Sequence, residues 1–130
     1  MKVDKCSVLE KGEGWRFGWR PKASIYKGLL GGDNWALELT EVELRDFHRL
    51  LSQLVRTVES LKNELMDQEK IDCEIESELL WLELTGDPQS YSLRLLLNQN
   101  RRAEGNWEHP AISQLLLAMD NNLTEISNKS

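Results

Sequence analysis

Four carboxylates at alternate positions, Asp72, Glu74, Glu76 and Glu78, form the densest set of chemistry-bearing side chains in this 130-residue chain. On a strand, same-face neighbours stand about 6.5–7 Å apart. That is too far for two adjacent carboxylates to share one hard cation, or to act as a dyad at contact distance. The spacing also departs from a DxDxDG calcium loop. The four therefore read as a solvated strand face, with Arg94, Arg101 and Arg102 as the cations opposite. The two histidines, His48 and His109, share no motif. Cys73 falls on the apolar side of its strand, as a core residue rather than a nucleophile. The chain carries no GxSxG, GxxxxGK[ST] or GxGxxG sequence, and Gly12-Glu13-Gly14 lacks the third glycine and precedes a strand. No catalytic residue, cofactor or metal ligand is expected.

The aromatics are a different matter, because five tryptophans is a high number for this length. Trp15 and Trp19 alternate with Arg16 and Arg20, and Trp107 follows Arg101 and Arg102. Exposed rings beside arginines equip a sheet to stack bases and follow a phosphate backbone. The competing reading packs the rings beneath the helices, and period-two alternation favours that for Trp15, Trp19 and Trp35.

Charge separates along the chain. The total is −6, yet residues 1–30 sum to +4, residues 31–90 to −10, and residues 91–130 to zero. Such a chain is no blanket polyanion binder, since affinity for nucleic acid comes largely from clustered Lys and Arg. A local basic face built from the first segment with Arg94, Arg101 and Arg102 remains compatible with the distribution. No run approaches the roughly 20 apolar residues of a membrane span. The start, MKVDKCSVLEKG, has no apolar core of a leader. Cys6 and Cys73 make no disulfide framework and no ligand pair, so a reducing compartment, the cytoplasm, is expected.

The elements that must position these groups follow from periodicity. Residues 1–12 are unpatterned and read as a loosely held arm with room for a short edge strand. Trp15, Phe17 and Trp19 share one face of a strand; Ser24 to Leu30 forms a second, Gly31-Gly32-Asp33-Asn34 a turn, and Asn34 to Leu39 a third. Thr40 and Glu43 spell a capping box. Leu44, Phe47, Leu51, Leu54, Val58, Leu61 and Leu65 then recur at spacings of three and four, which predicts a helix ending near Asp67 and lying across its own sheet. Beyond Ile71 the period returns to two. A run of that length requires a bulge or tight turn near Glu76 to Glu78. Gly86-Asp87-Pro88 is a turn, Tyr91 to Leu97 another strand, and Arg101 to Trp107 the last. Pro110 opens a final helix with Ile112, Leu115, Leu116, Met119, Leu123 and Ile126 on its apolar side.

The order is strands, helix, strands, helix. This is an α+β fold of two antiparallel meanders of three or four strands, each followed by an amphipathic helix. One domain spans 1–130, with the arm at 1–12, strands plus the long helix over 13–66, and strands plus the C-terminal helix over 69–126.

Five ordered blocks, Gly14-Trp15-Arg16-Phe17-Gly18-Trp19, Trp35-Ala36-Leu37-Glu38-Leu39-Thr40, Glu64-Leu65-Met66-Asp67, Glu74 to Trp81, and Arg101-Arg102-Ala103-Glu104-Gly105, resemble an uncharacterised cyanobacterial family, a domain of unknown function. The resemblance spans residues 12–120. It implies a fold similar to the single-stranded-DNA-binding transcriptional regulators of the Whirly type, and it transfers no activity and no binding residue. The expected function is a non-catalytic binding or regulatory module acting through protein–protein contacts, self-association included, with no membrane partner. The alternative is a single-strand nucleic-acid binder using Trp15, Arg16, Trp19, Arg20, Arg94 and Arg101. An enzyme is the third reading, and no residue nominates its reaction.

Overall fold

Period-two segments pair into two separate antiparallel sheets in the computed structural model, which describes residues 7–65 and 69–124. Sheet A contains β1 (Val8–Gly12), β2 (Trp15–Trp19), β3 (Gly28–Gly31) and β4 (Ala36–Leu39), in that order across the sheet. Sheet B contains β5 (Ile71–Glu76), β6 (Leu80–Asp87), β7 (Ser90–Leu97) and β8 (Ala103–Trp107), again in chain order. Helix α1 (Glu41–Leu61) follows the first sheet and α2 (His109–Met119) the second. The expected α+β class with two meander-plus-helix halves is the observed one.

Local chemistry places the turns. Gly14 takes a φ of +86°, open to glycine, at the β1–β2 turn, and its N–H donates to Asp33 Oδ1 of the β3–β4 turn. Ser77 Oγ accepts from the N–H groups of Leu79 and Leu80, which makes the β5–β6 connection tight. Asp87 Oδ1 does the same for Gln89 and Ser90 between β6 and β7. The capping box is present in full: Glu43 N–H donates to Thr40 Oγ1, and Thr40 N–H to Glu43 Oε1.

Several elements differ from expectation. Residues 8–12 form β1, the short edge strand for which the arm had room, while residues 1–6, Cys6 included, lie outside the described residues, as do Ile126 and the tail. The strand expected from Ser24 shrinks to Gly28–Gly31, because Lys27 Nζ donates to the carbonyls of Pro21 and Ala23 and holds residues 20–27 as a loop. Helix α1 stops at Leu61, where Leu61 and Leu65 are only half-buried and repay little packing. Residues 99–101 form a single 3₁₀ turn, so the last strand starts at Ala103, and Pro110 is the second residue of α2 rather than its first.

The main correction concerns the helices. Instead of lying across its own sheet, α1 packs chiefly on β5 and β6 of sheet B, with lesser contacts to β3 and β4. Helix α2 in turn lies on β2 of sheet A as well as β7. Each helix covers the sheet of the other half, because a four-stranded meander leaves one apolar face that its own short connection does not roof. The core joins both halves: Phe17, Leu30, Leu44, Phe47, Leu51, Leu82, Leu95 and Ile112 have no solvent exposure. At about 1.5–3 kcal/mol for each large apolar side chain, this shared core is the main stabilising contribution.

Candidate partner-binding surface

Alternation along β2 puts rings and guanidinium groups on opposite faces of one strand. Trp15 and Trp19 point into the core, 7% and 6% exposed. Trp15 Nε1 donates to Gln114 Oε1 at 2.7 Å, and the Arg45 guanidinium lies over the Trp19 ring at 5.8 Å. Neither ring presents a face for a base to stack on. Arg16, on the other side of the strand, donates through Nε to Gly32 O and through Nη2 to Trp35 O, bracing the β3–β4 turn. Arg20 is exposed at the end of β2.

Arg94 and Arg101 belong elsewhere. Arg101 donates to Glu43 Oε2 at 3.0 Å, to the Glu38 carbonyl and to Tyr26 Oη, so it clasps the 99–101 turn to the start of α1. Arg94 stands on sheet B, paired with Glu104 at 3.1 Å. The six residues nominated by the sequence are thus distributed over a core, two turns and two sheets.

The outer face of sheet B is assembled by register. Glu74, Glu83, Arg94 and Asn106 form one cross-strand row; Asp72, Thr85 and Ser92 form the row on one side of it, and Glu76, Trp81, Leu96 and Glu104 the row on the other. Glu78 lies in the β5–β6 connection and joins no row. The helices lie against the inner faces, so among the described residues no helix covers this one. Trp81 and Leu96 sit half-exposed on its two middle strands, in the row beside the Glu83–Arg94 row, with the Arg94 guanidinium 6.0 Å from the Trp81 ring. Among the described residues no ion pair engages Asp72, Glu74, Glu76 or Glu83. Desolvation raises the Glu83 carboxyl above its ordinary 4.5, as do a hydrogen bond with Asp72 and the charges of Asp72 and Glu74, while Arg94 opposes them.

Trp81 was the residue that alternation misplaced. Counting by twos from Ile71 puts it with Cys73 and Ile75 on the inner face. Ser77 N–H closes on Leu80 O and Glu76 pairs with Trp81, so an even number of residues separates the paired positions and odd positions of β6 point outward. The run length calls for a turn near Glu76 to Glu78, and the serine at 77 closes it.

A cleft of about 390 Å³ opens at one end, where the β1–β2 and β3–β4 turns meet the start of α2. Glu13, Asp33, Trp35, Asn106, Glu108 and Gln114 are among its lining residues. Gly105 and Gly32 are bare so that the Trp35 ring can lie directly on backbone; a β-carbon at either would overlap it. Trp35 also meets Trp107, ring centroids 5.1 Å apart, and Trp107 Nε1 donates to Gly31 O, joining the two sheets.

Titratable groups elsewhere are dispersed. His48 Nε2 pairs with Asp120 Oδ1 at 2.7 Å, His109 stands edge-on to Tyr91, and Cys73 is half-buried on the inner face. Among the described residues no three His, Cys, Asp or Glu side chains are grouped to hold a metal ion. Among the described residues no helix is long and apolar enough to cross a membrane.

Comparison with known proteins adds a family and a fold. Residues 10–122 match the family described as a domain of unknown function (DUF1818). The crystal structure of a protein of unknown function from the DUF155 family of Prochlorococcus sp. NATL2A is similar, with a TM-score of 0.83 and 29% identity, covering 88% of this chain and 97% of that one. No curated protein matches.

Proposed function

The chain belongs to the DUF1818 family of domains of unknown function, and from that premise we propose a role read from its own surface: a non-catalytic module that binds a basic protein partner through the outer face of sheet B. One observation carries this reading. Both helices are spent on the inner faces, and the outer face of sheet B holds Trp81 and Leu96 beside Asp72, Glu74, Glu76 and Glu83, which no ion pair engages among the described residues, while Glu104 is paired with Arg94. A tryptophan and an aliphatic side chain that lose water on docking supply the anchor, while the surrounding charges steer the encounter and select the partner's sign.

The test places a photo-crosslinking residue at position 96 and, as a control, at Leu9 on the outer face of sheet A. Expected is one basic protein attached at position 96, absent at position 9, and lost when Trp81→Ala or Glu83→Lys is added. Equal labelling at both positions, or labelling unaffected by those changes, overturns the reading.

Single-stranded nucleic acid is the second reading, the one that follows from the Whirly-type fold implied by the sequence blocks. Lys11 and Arg16, which line an open cavity of about 480 Å³ beside the β1–β2 turn, support it too. Titration with an oligothymidylate at about 50 mM salt, where phosphate contacts are strong, reads it through tryptophan fluorescence. Saturable quenching abolished by Lys11→Glu would put this reading first.

A further inference from the structure

We propose that the basic partner enters as an extended arginine-bearing segment, laid along a groove that runs from the outer face of sheet B into the Trp35 cleft, where one guanidinium is held. This rests on the binding role above and specifies its occupant.

Two cavities make the path. One, of about 360 Å³, lies over β6, β7 and β8 and is lined by Glu83, Arg94, Glu104, Asn106 and Glu108 among others. The other is the end cleft, and the two share Asn106 and Glu108, so the surface is continuous around the end of β8. A groove that turns from a sheet face into a cleft suits a narrow chain better than the broad face of a globular protein.

The lining selects charge. Among the described residues that line these two cavities, Glu13, Asp33, Glu83, Glu104 and Glu108 stand against Arg94, which is already paired with Glu104; Lys11 and Arg16 line the neighbouring cavity beyond Asp33. Asp33 commits Oδ1 to Gly14 and Glu108 commits Oε2 to Ser92, which leaves Asp33 Oδ2 and Glu108 Oε1 to accept from a ligand. Gln114 commits Oε1 to Trp15, leaving its Nε2 donors for a main-chain carbonyl. Trp35 lines the same cleft. A guanidinium combines planar stacking on an indole with forked donation to carboxylates, which an ammonium does not.

The experiment titrates the isotope-labelled full chain with three short peptides of alternating sequence, Val-Arg, Val-Lys and Val-citrulline, the last a neutral isostere of arginine. The arginine peptide is expected to shift amide signals both on the sheet, at Glu83 and Arg94, and in the cleft, at Asp33 and Gln114. Charge-assisted pairing predicts about tenfold weaker binding for the citrulline peptide. Asp33→Asn, which keeps the acceptor for Gly14, is expected to weaken the arginine peptide several-fold without changing the fold; Glu13→Gln is a second variant should that one destabilise the turn. Shifts on the sheet alone, with cleft variants unaffected, overturn the groove and leave the binding role standing. No shift at either place also overturns it, and the crosslink at position 96 then decides the binding role independently. Equal binding of citrulline and arginine peptides removes the guanidinium.

Discussion

A β-carbon at Gly105 would overlap the six-membered ring of Trp35, which packs on Trp107 and on the Gly32 backbone and would have to shift toward its cleft. Gly105→Ala is therefore expected to lower stability by about 1–3 kcal/mol, read as a fall in the midpoint of thermal unfolding. An unchanged midpoint would show that the ring is free to move. Glu83 makes the opposite case, a carboxyl whose surroundings favour its protonated form. Its carboxyl titrates above 4.5 in the folded chain, first through desolvation and then through Asp72 and Glu74. A folded state that holds the proton more tightly than the unfolded chain loses stability as pH rises from 4.5 through the raised value. Glu83→Gln should thus be more stable than the native chain at neutral pH, with the difference closing below pH 4.5. Urea midpoints across that range check both the sign and the window.

Among the elements, α1 shows how much of a helix is locally encoded. Its start is written in Thr40 and Glu43, and its buried face in Leu44, Phe47, Leu51, Leu54 and Val58. Thr40→Ala removes one half of the capping box and is expected to cost about 1 kcal/mol. Glu43→Ala should cost more, because Glu43 Oε2 also accepts from Arg101 and its side chain is only 7% exposed. If the two substitutions destabilise equally in chemical denaturation, Arg101 contributes nothing to holding the 99–101 turn. The β5–β6 hairpin shows where local encoding stops. Each strand's alternation was legible, but the phase between them depended on the number of residues in the turn, and a change of one residue there exchanges the faces.

Across the whole molecule, the exchange of helices governs stability. Because α1 roofs sheet B and α2 contacts sheet A, neither half can bury its apolar faces alone. A fragment of residues 1–63 is expected to show no cooperative unfolding by circular dichroism, and likewise 64–130. Mixed in equal amounts, the two should regain the cooperative transition of the intact chain. A fragment that folds alone would mean that its helix can settle on its own sheet. The same exchange leaves both outer sheet faces without a helix among the described residues, and it is this arrangement, more than any motif, on which the proposed docking at sheet B rests.

Element types, their order and most caps and turns were determined by the sequence itself, because these depend on neighbours within a few positions: alternation for strands, three-and-four spacing for α1, Gly31-Gly32-Asp33-Asn34 and Gly86-Asp87-Pro88 for turns. The burial of Trp15, Phe17 and Trp19 was legible for the same reason. What the tertiary structure alone decided was which sheet each helix covers, that Arg101 closes on Glu43 across 58 positions, and that Trp81 faces outward beside the acidic row. Those outcomes rest on packing between distant segments and on the parity of one turn, which leave no periodic trace in the chain.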